Sequence, residues 1–129
     1  MKLRDDIQAA KDRIKLRIGY GSELKSLADV LTPGETVEKM LFGKLGDKRG
    51  LIVLTDRRLL FHYRLPQGIA PTTQIASYAR PQLTSIHATA KGLFAELTVT
   101  VASSVVTFTE VPRQYVDEFV VAANSTPTP

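Results

Sequence analysis

The chain has two histidines, His62 and His87, and no cysteine. A protein metal site draws three or four Cys, His or carboxylate ligands together at short spacings. Neither imidazole has a His or Cys neighbour at such a spacing, so no metal is expected. Lack of cysteine removes disulfides, thiolate ligands and cysteine nucleophiles together. No serine sits in the Gly-x-Ser-x-Gly turn that exposes a nucleophile above a sheet. Gly19-Tyr20-Gly21-Ser22-Glu23-Leu24 opens like a dinucleotide fingerprint, yet Leu24 stands at the third glycine position and the preceding stretch reads as helix. Gly43 to Gly50 mixes glycine with lysine but has no Gly-Lys-Ser/Thr, so it is no phosphate loop. The carboxylates are scattered, and Asp5-Asp6 suits a helix start, where the helix dipole favours negative charge. Nothing assembles an acid, a base and a nucleophile. The residues point to binding, with no cofactor and no catalysis.

Two groups carry the binding chemistry. Lys44, Lys48 and Arg49 flank one turn and Arg64 ends a later strand; four cations at one end of a sheet would attract an anionic group or membrane surface. The second group is an apolar stripe, Leu3, Ile7, Ile14 and Ile18, on a helix otherwise rich in Arg and Lys. Such a stripe can pack on a partner, on a second copy, or on its own domain. It carries no Trp or Phe anchor, which argues against insertion into a membrane.

The elements that hold these residues follow from periodicity. Leu3, Ile7, Ala10, Ile14 and Ile18 recur at helical spacing over 3–18, and Gly19-Tyr20-Gly21 interrupts them. Ser22 is placed to cap a second helix with Leu24, Leu27, Ala28 and Leu31 on one side. Thr32-Pro33-Gly34 ends it. From residue 35 the period becomes strand-like. Strands are expected at 36–45, 51–54, 59–64, 74–80, 83–89, 93–102 and 105–111. Their turns fall at Gly46–Gly50, Thr55–Arg57, 65–73, Pro81, Lys91-Gly92 and Ser103-Ser104. Consecutive antiparallel strands put the first and third connections at one end, which gathers Lys44, Lys48, Arg49 and Arg64. Arg57 and Arg58 go to the other end, where Thr55 and Asp56 are turn formers and Arg58 can pair with Asp56. After Pro112 a helical face of Tyr115, Val116, Phe119, Val120 and Ala123 closes the chain, with a tail from 125 to 129.

At this level a family becomes visible. Gly50-Leu51-Ile52-Val53-Leu54-Thr55-Asp56-Arg57-Arg58-Leu59-Leu60-Phe61 resembles the hairpin of the bacterial pleckstrin-homology (PH) domains, an apolar strand, a Thr-Asp-x-Arg turn and an apolar-aromatic strand. Glu35, Tyr78, Leu83-Thr84-Ser85-Ile86 and Lys91-Gly92-Leu93-Phe94 support it. The resemblance spans about residues 31–123. It implies a mainly β fold, an antiparallel seven-strand barrel closed by a C-terminal α-helix, with residues 1–30 as an added helical segment. It also implies a non-catalytic interaction module, binding protein partners or itself through a barrel edge or the N-terminal helix. The alternative it implies is peripheral binding to anionic lipid through the basic end.

Composition bounds the rest. With 43% hydrophobic and 23% charged residues the 129-residue chain can bury one core. No run approaches the ~18 apolar residues of a membrane span, and the charged start reads as no secretory signal. The expected setting is cytoplasmic, with a peripheral inner-membrane position if lipid is the ligand. The net charge of +4 comes from the first half, since residues 65–129 carry three basic and four acidic side chains. The strands lack the interleaved aromatic and basic residues of a stacking platform, so nucleic acid is not expected.

Overall fold

The computed structural model describes residues 3–14, 20–65 and 72–125, with the backbone alone at Ser22, Arg64, Leu65 and Thr72–Gln74. Seven strands form one antiparallel sheet in the order β4-β3-β2-β1-β7-β6-β5. They are β1 (Val37–Leu45), β2 (Lys48–Thr55), β3 (Arg58–Leu65), β4 (Thr72–Ala79), β5 (Leu83–Lys91), β6 (Phe94–Val101) and β7 (Ser104–Pro112). Among the described residues three α-helices flank it: α1 (Asp5–Arg13), α2 (Gly21–Val30) and α3 (Arg113–Asn124). A 3-10 turn at Arg80–Gln82 joins β4 to β5. The sheet folds over on itself so that Phe61 of β3 meets Phe108 of β7, ring centroids 5.3 Å apart. The expected mainly β architecture is present, but the barrel is left open: β4 and β5 are the two ends of the sheet.

The continuous apolar run Leu51-Ile52-Val53-Leu54 is explained by burial on both sides. All four are fully buried. One face of β1–β3 carries Leu41, Ile52 and Phe61 and looks toward β7; the other carries Met40, Val53, Leu60 and His62. The second face is roofed by the N-terminal helices, α1 on β1 and α2 on β3 and β4. A strand buried on both faces has no reason to alternate. α3 packs on β5, β1 and β6, burying Val116 and Phe119.

Local chemistry moved several boundaries. The first hairpin turns on Gly46-Asp47 alone, with Gly46 at φ +64°, so Lys48, Arg49 and Gly50 belong to β2 and not to a longer turn. Gly50 is there for closeness: a Cβ would stand 2.5 Å from the His62 carbonyl oxygen. α2 already begins at Gly21 with Tyr20 at the N-cap, so the cap position expected at Ser22 falls inside the helix. Ala28 faces out, whereas Leu24, Leu27 and Leu31 are buried. α1 ends at Arg13, and the expected continuation to Ile18 lies outside the described residues.

Candidate interaction surfaces

The β2–β3 turn that carries the family-like motif is a structural lock. Arg58 does not pair with Asp56. Its guanidinium forks onto Glu35, Nε to Oε2 at 2.9 Å and Nη2 to Oε1 at 3.0 Å. Thr55 Oγ1 donates to the same carboxylate at 2.6 Å and accepts from the Arg57 and Arg58 backbone N–H groups. Asp56 is taken by the Thr36 N–H, 2.9 Å away. Planar two-point pairing is what guanidinium and carboxylate do best, and it joins the start of β1 to the turn. Arg4 extends the lock to the N-terminus, donating to Asp6 and to the Glu35 carbonyl, while Asp6 accepts from the Val37 N–H.

The histidines lie apart. His62 is fully buried with its Nε2 2.7 Å from Ser26 Oγ, which ties β3 to α2; His87 is exposed on β5. Among the described residues no group of three or more His, Cys, Asp or Glu is placed to hold a metal.

The basic end comes together only in part. Lys44 and Arg49 are cross-strand partners and share a face, but Lys48 pairs with Leu45 and, by strand alternation, belongs to the other. Lys44 is ion-paired with Glu110 at 3.3 Å and Lys48 with Asp47 at 3.5 Å. The Arg64 backbone pairs with Thr73 at the same end of the sheet, and its side chain is outside the described residues. The apolar stripe is likewise divided: Ile7 and Ile14 are buried in this chain's own core, Leu3 packs against that core, and Ile18 lies outside the described residues. The exposed face of α1 is its charged one.

A groove that the sequence did not advertise lies beside Lys44 and Arg49. It has a volume of about 610 Å³ and is lined by Tyr20, Phe42, Arg49, Leu93, Phe94 and Arg113. Leu93 is 89% exposed and Phe94 42%. They occupy the tip of the β5–β6 hairpin, whose turn residues are Gly92, at φ +62°, and Leu93. Arg113 Nη1 donates to the Gly92 carbonyl and ties this tip to the start of α3. Burial raises the Tyr20 hydroxyl pKa, partly countered by a hydrogen bond and charge from Arg49. The β6–β7 ladder slips a register between Ala95 and Leu97, and Glu110 sits at this bulge with φ +54°. A non-glycine residue in that region is strained. The bulge places the Glu110 carboxylate in the groove wall.

Solved structures give the architecture its relatives. The chain is similar to a pleckstrin homology domain from Shewanella amazonensis SB2B, with a TM-score of 0.56 and 15% identity over 81% of this chain and 97% of that one. The chain has the pleckstrin-homology fold. It is also similar to a DUF1696-family protein with a pleckstrin-homology domain from Shewanella loihica PV-4, TM-score 0.50 and 10% identity, covering 84% of this chain and 100% of that one. No protein-family model and no curated protein matches the sequence. At this level of identity the likeness extends to the fold alone, and the surfaces must be read from this chain's own residues.

Sheet edges are the remaining surface. β4 and β5 together contain one charged residue, Lys91, in seventeen positions, where the chain's 23% would place about four. On β5 the Asn124 amide already donates to the Ile86 carbonyl at 3.1 Å. β4 has no charge and no proline, and its Ile75 is 41% exposed. Among the described residues no strand pairs with its outer side.

Proposed function

We propose that this PH-like chain is a non-catalytic interaction module that takes an extended segment of a protein partner, or of a second copy, along the outer edge of β4. The absence of charge and proline from Thr72–Ala79 carries this reading. An edge strand exposes a row of backbone donors and acceptors, and proteins that must keep such an edge to themselves place Lys, Pro or a bulge there. β4 has none of these over eight residues paired in unbroken register with β3. Strand addition takes its affinity from main-chain hydrogen bonds and its selectivity from alternate side chains; among the described side chains of β4 the alternate ones, Ile75, Ser77 and Ala79, are exposed.

The test selects a random dodecapeptide display library on the full chain and measures amide hydrogen exchange with and without the selected peptides. Slowed exchange across Thr72–Ala79, with binding lost at least ten-fold in Ile75→Lys, supports the edge. Binders that leave every β4 amide exchanging as before, or no binder at all, would sink it. The anionic-lipid reading through Lys44, Lys48, Arg49 and Arg64 has weaker support, because Glu110 and Asp47 each engage one of its lysines. It requires pelleting with phosphatidylglycerol vesicles at low ionic strength, where surface electrostatics are strongest.

A further inference from the structure

We infer that the groove between Arg49 and the β5–β6 hairpin tip is a second docking site, built for an acidic protein segment that carries a bulky apolar side chain. Two independent features specify that occupant. The first is charge. Arg49 and Arg113 both line the groove, and the one carboxylate among its lining residues, Glu110, is paired with Lys44 beside it. That balance draws carboxylates and repels basic segments, and the guanidinium fork suits a carboxylate better than a point charge would.

The second feature is apolar exposure in the same place. Leu93 and Phe94 are two of the five exposed large hydrophobic side chains among the described residues, and they are adjacent. Phe42, partly buried, lines the same groove. An apolar side chain entering here would be held between Phe42 and the hairpin tip while its acidic neighbours met Arg49 and Arg113. Such an anchor in a pocket with a polar rim is the usual anatomy of a protein-binding hot spot. The strained backbone of Glu110 agrees with a built site, because a glycine would meet the bulge without strain but would leave Lys44 unopposed. The groove is separate from the β4 edge, so either reading can fail without the other.

Two fluorescein-labelled decapeptides serve as probes, one interleaving aspartate and glutamate with leucine and phenylalanine, the other with lysine in place of every acid. Fluorescence anisotropy on the full chain should show the acidic peptide binding at least ten-fold tighter, weakening as salt rises. Arg49→Glu with Arg113→Glu should lower its affinity at least ten-fold, and Leu93→Ser several-fold. Glu110→Gln should raise it several-fold. Leu93 is too exposed for its replacement to disturb folding, and an unchanged melting curve is the control. Equal binding of both peptides, or affinity indifferent to the groove variants, overturns the inference. So does pelleting with phosphatidylglycerol vesicles that Leu93→Ser abolishes in the absence of peptide binding, which would assign the tip to a membrane.

Discussion

Glu35 concentrates more bonds than any other described side chain at the β2–β3 end. It accepts from Arg58, from the Thr55 hydroxyl and from the Thr32 N–H, 2.9 Å away. Burial works to raise its pKa; the Arg58 and Thr55 hydrogen bonds, the Thr32 N–H and the Arg58 charge outweigh it and hold the carboxyl at about 2 against 4.5. Asp6 is lowered to about 2 from 3.8, chiefly by its hydrogen bond from Arg4. A depressed folded-state pKa means the unfolded chain takes up the proton first. The stabilisation is therefore complete above about pH 4.5 and is lost as pH falls toward 2. Urea midpoints should drop between about pH 5 and pH 2 by the equivalent of roughly 3 kcal/mol for a shift of the size seen at Glu35. Glu35→Gln should be less stable at pH 7 by about 2–4 kcal/mol, since it leaves Arg58 uncompensated, and its midpoint should vary less below pH 5. A parallel acid profile for wild type and variant would show that the drop originates elsewhere.

At the scale of elements, α3 is fastened at its far end by a residue the sequence did not single out. Arg80, 9% exposed, donates to Glu38 Oε1 at 2.8 Å and the Thr55 carbonyl at 2.8 Å. Its other arm donates to the Ala122 and Ser125 carbonyls at 3.0 and 2.7 Å. A guanidinium there satisfies carbonyls that the end of a helix leaves open and opposes the helix dipole. At the helix centre Phe119 is 1% exposed, so Phe119→Ala should cost roughly 3–5 kcal/mol. Arg80→Met should cost about 2–4 kcal/mol by leaving Glu38 and the carbonyls without their donor. An unchanged thermal midpoint for Phe119→Ala would mean that α3 does not close the core. The contrast shows what could be read in advance. Phe119 lies in a helical apolar pattern, and the β2–β3 hairpin announces itself through a buried run and a Thr-Asp turn, because both signals are local. Arg80 reads only as the last residue of the strand expected at 74–80, before Pro81. Its partners, like the Glu35 partner of Arg58, stand more than twenty positions away and share no period with it. Lys91-Gly92 has turn chemistry of its own, which places Leu93 at the start of the strand expected at 93–102. The hairpin turns one residue later, and that single step leaves the side chain in solvent.

Over the whole molecule, the family-like region and the added N-terminal segment share one hydrophobic core. Ile7, Ala10, Ile14, Tyr20, Leu24 and Leu27 belong to the same buried cluster as Met40, Leu51, Val53 and Leu60. The open sheet explains why this is needed. The middle of β1–β3, Met40-Leu41, Leu51–Leu54 and Leu59–Phe61, is apolar on both faces, and one sheet folded over itself can cover only one of them. The helices supply the second cover. Arg4 and Asp6 pin α1 to the start of β1, and Ser26 pins α2 to His62. Deleting residues 1–30 should therefore uncover the face of β1–β3 that carries Met40, Leu51, Val53 and Leu60. At ~25 cal/mol per Å² of apolar surface, uncovering several hundred Å² exceeds the few kcal/mol by which a domain of this size is stable. The truncated chain should aggregate or melt far below the full chain, and sedimentation velocity should show the full chain sized independently of its α1 stripe. A truncated chain that stays folded, monomeric and within a few degrees of the full-length melting temperature would mean the opposite. The sheet would then be sufficient alone, and Leu3, Ile7, Ile14 and Ile18 would be available to a partner as their spacing first suggested.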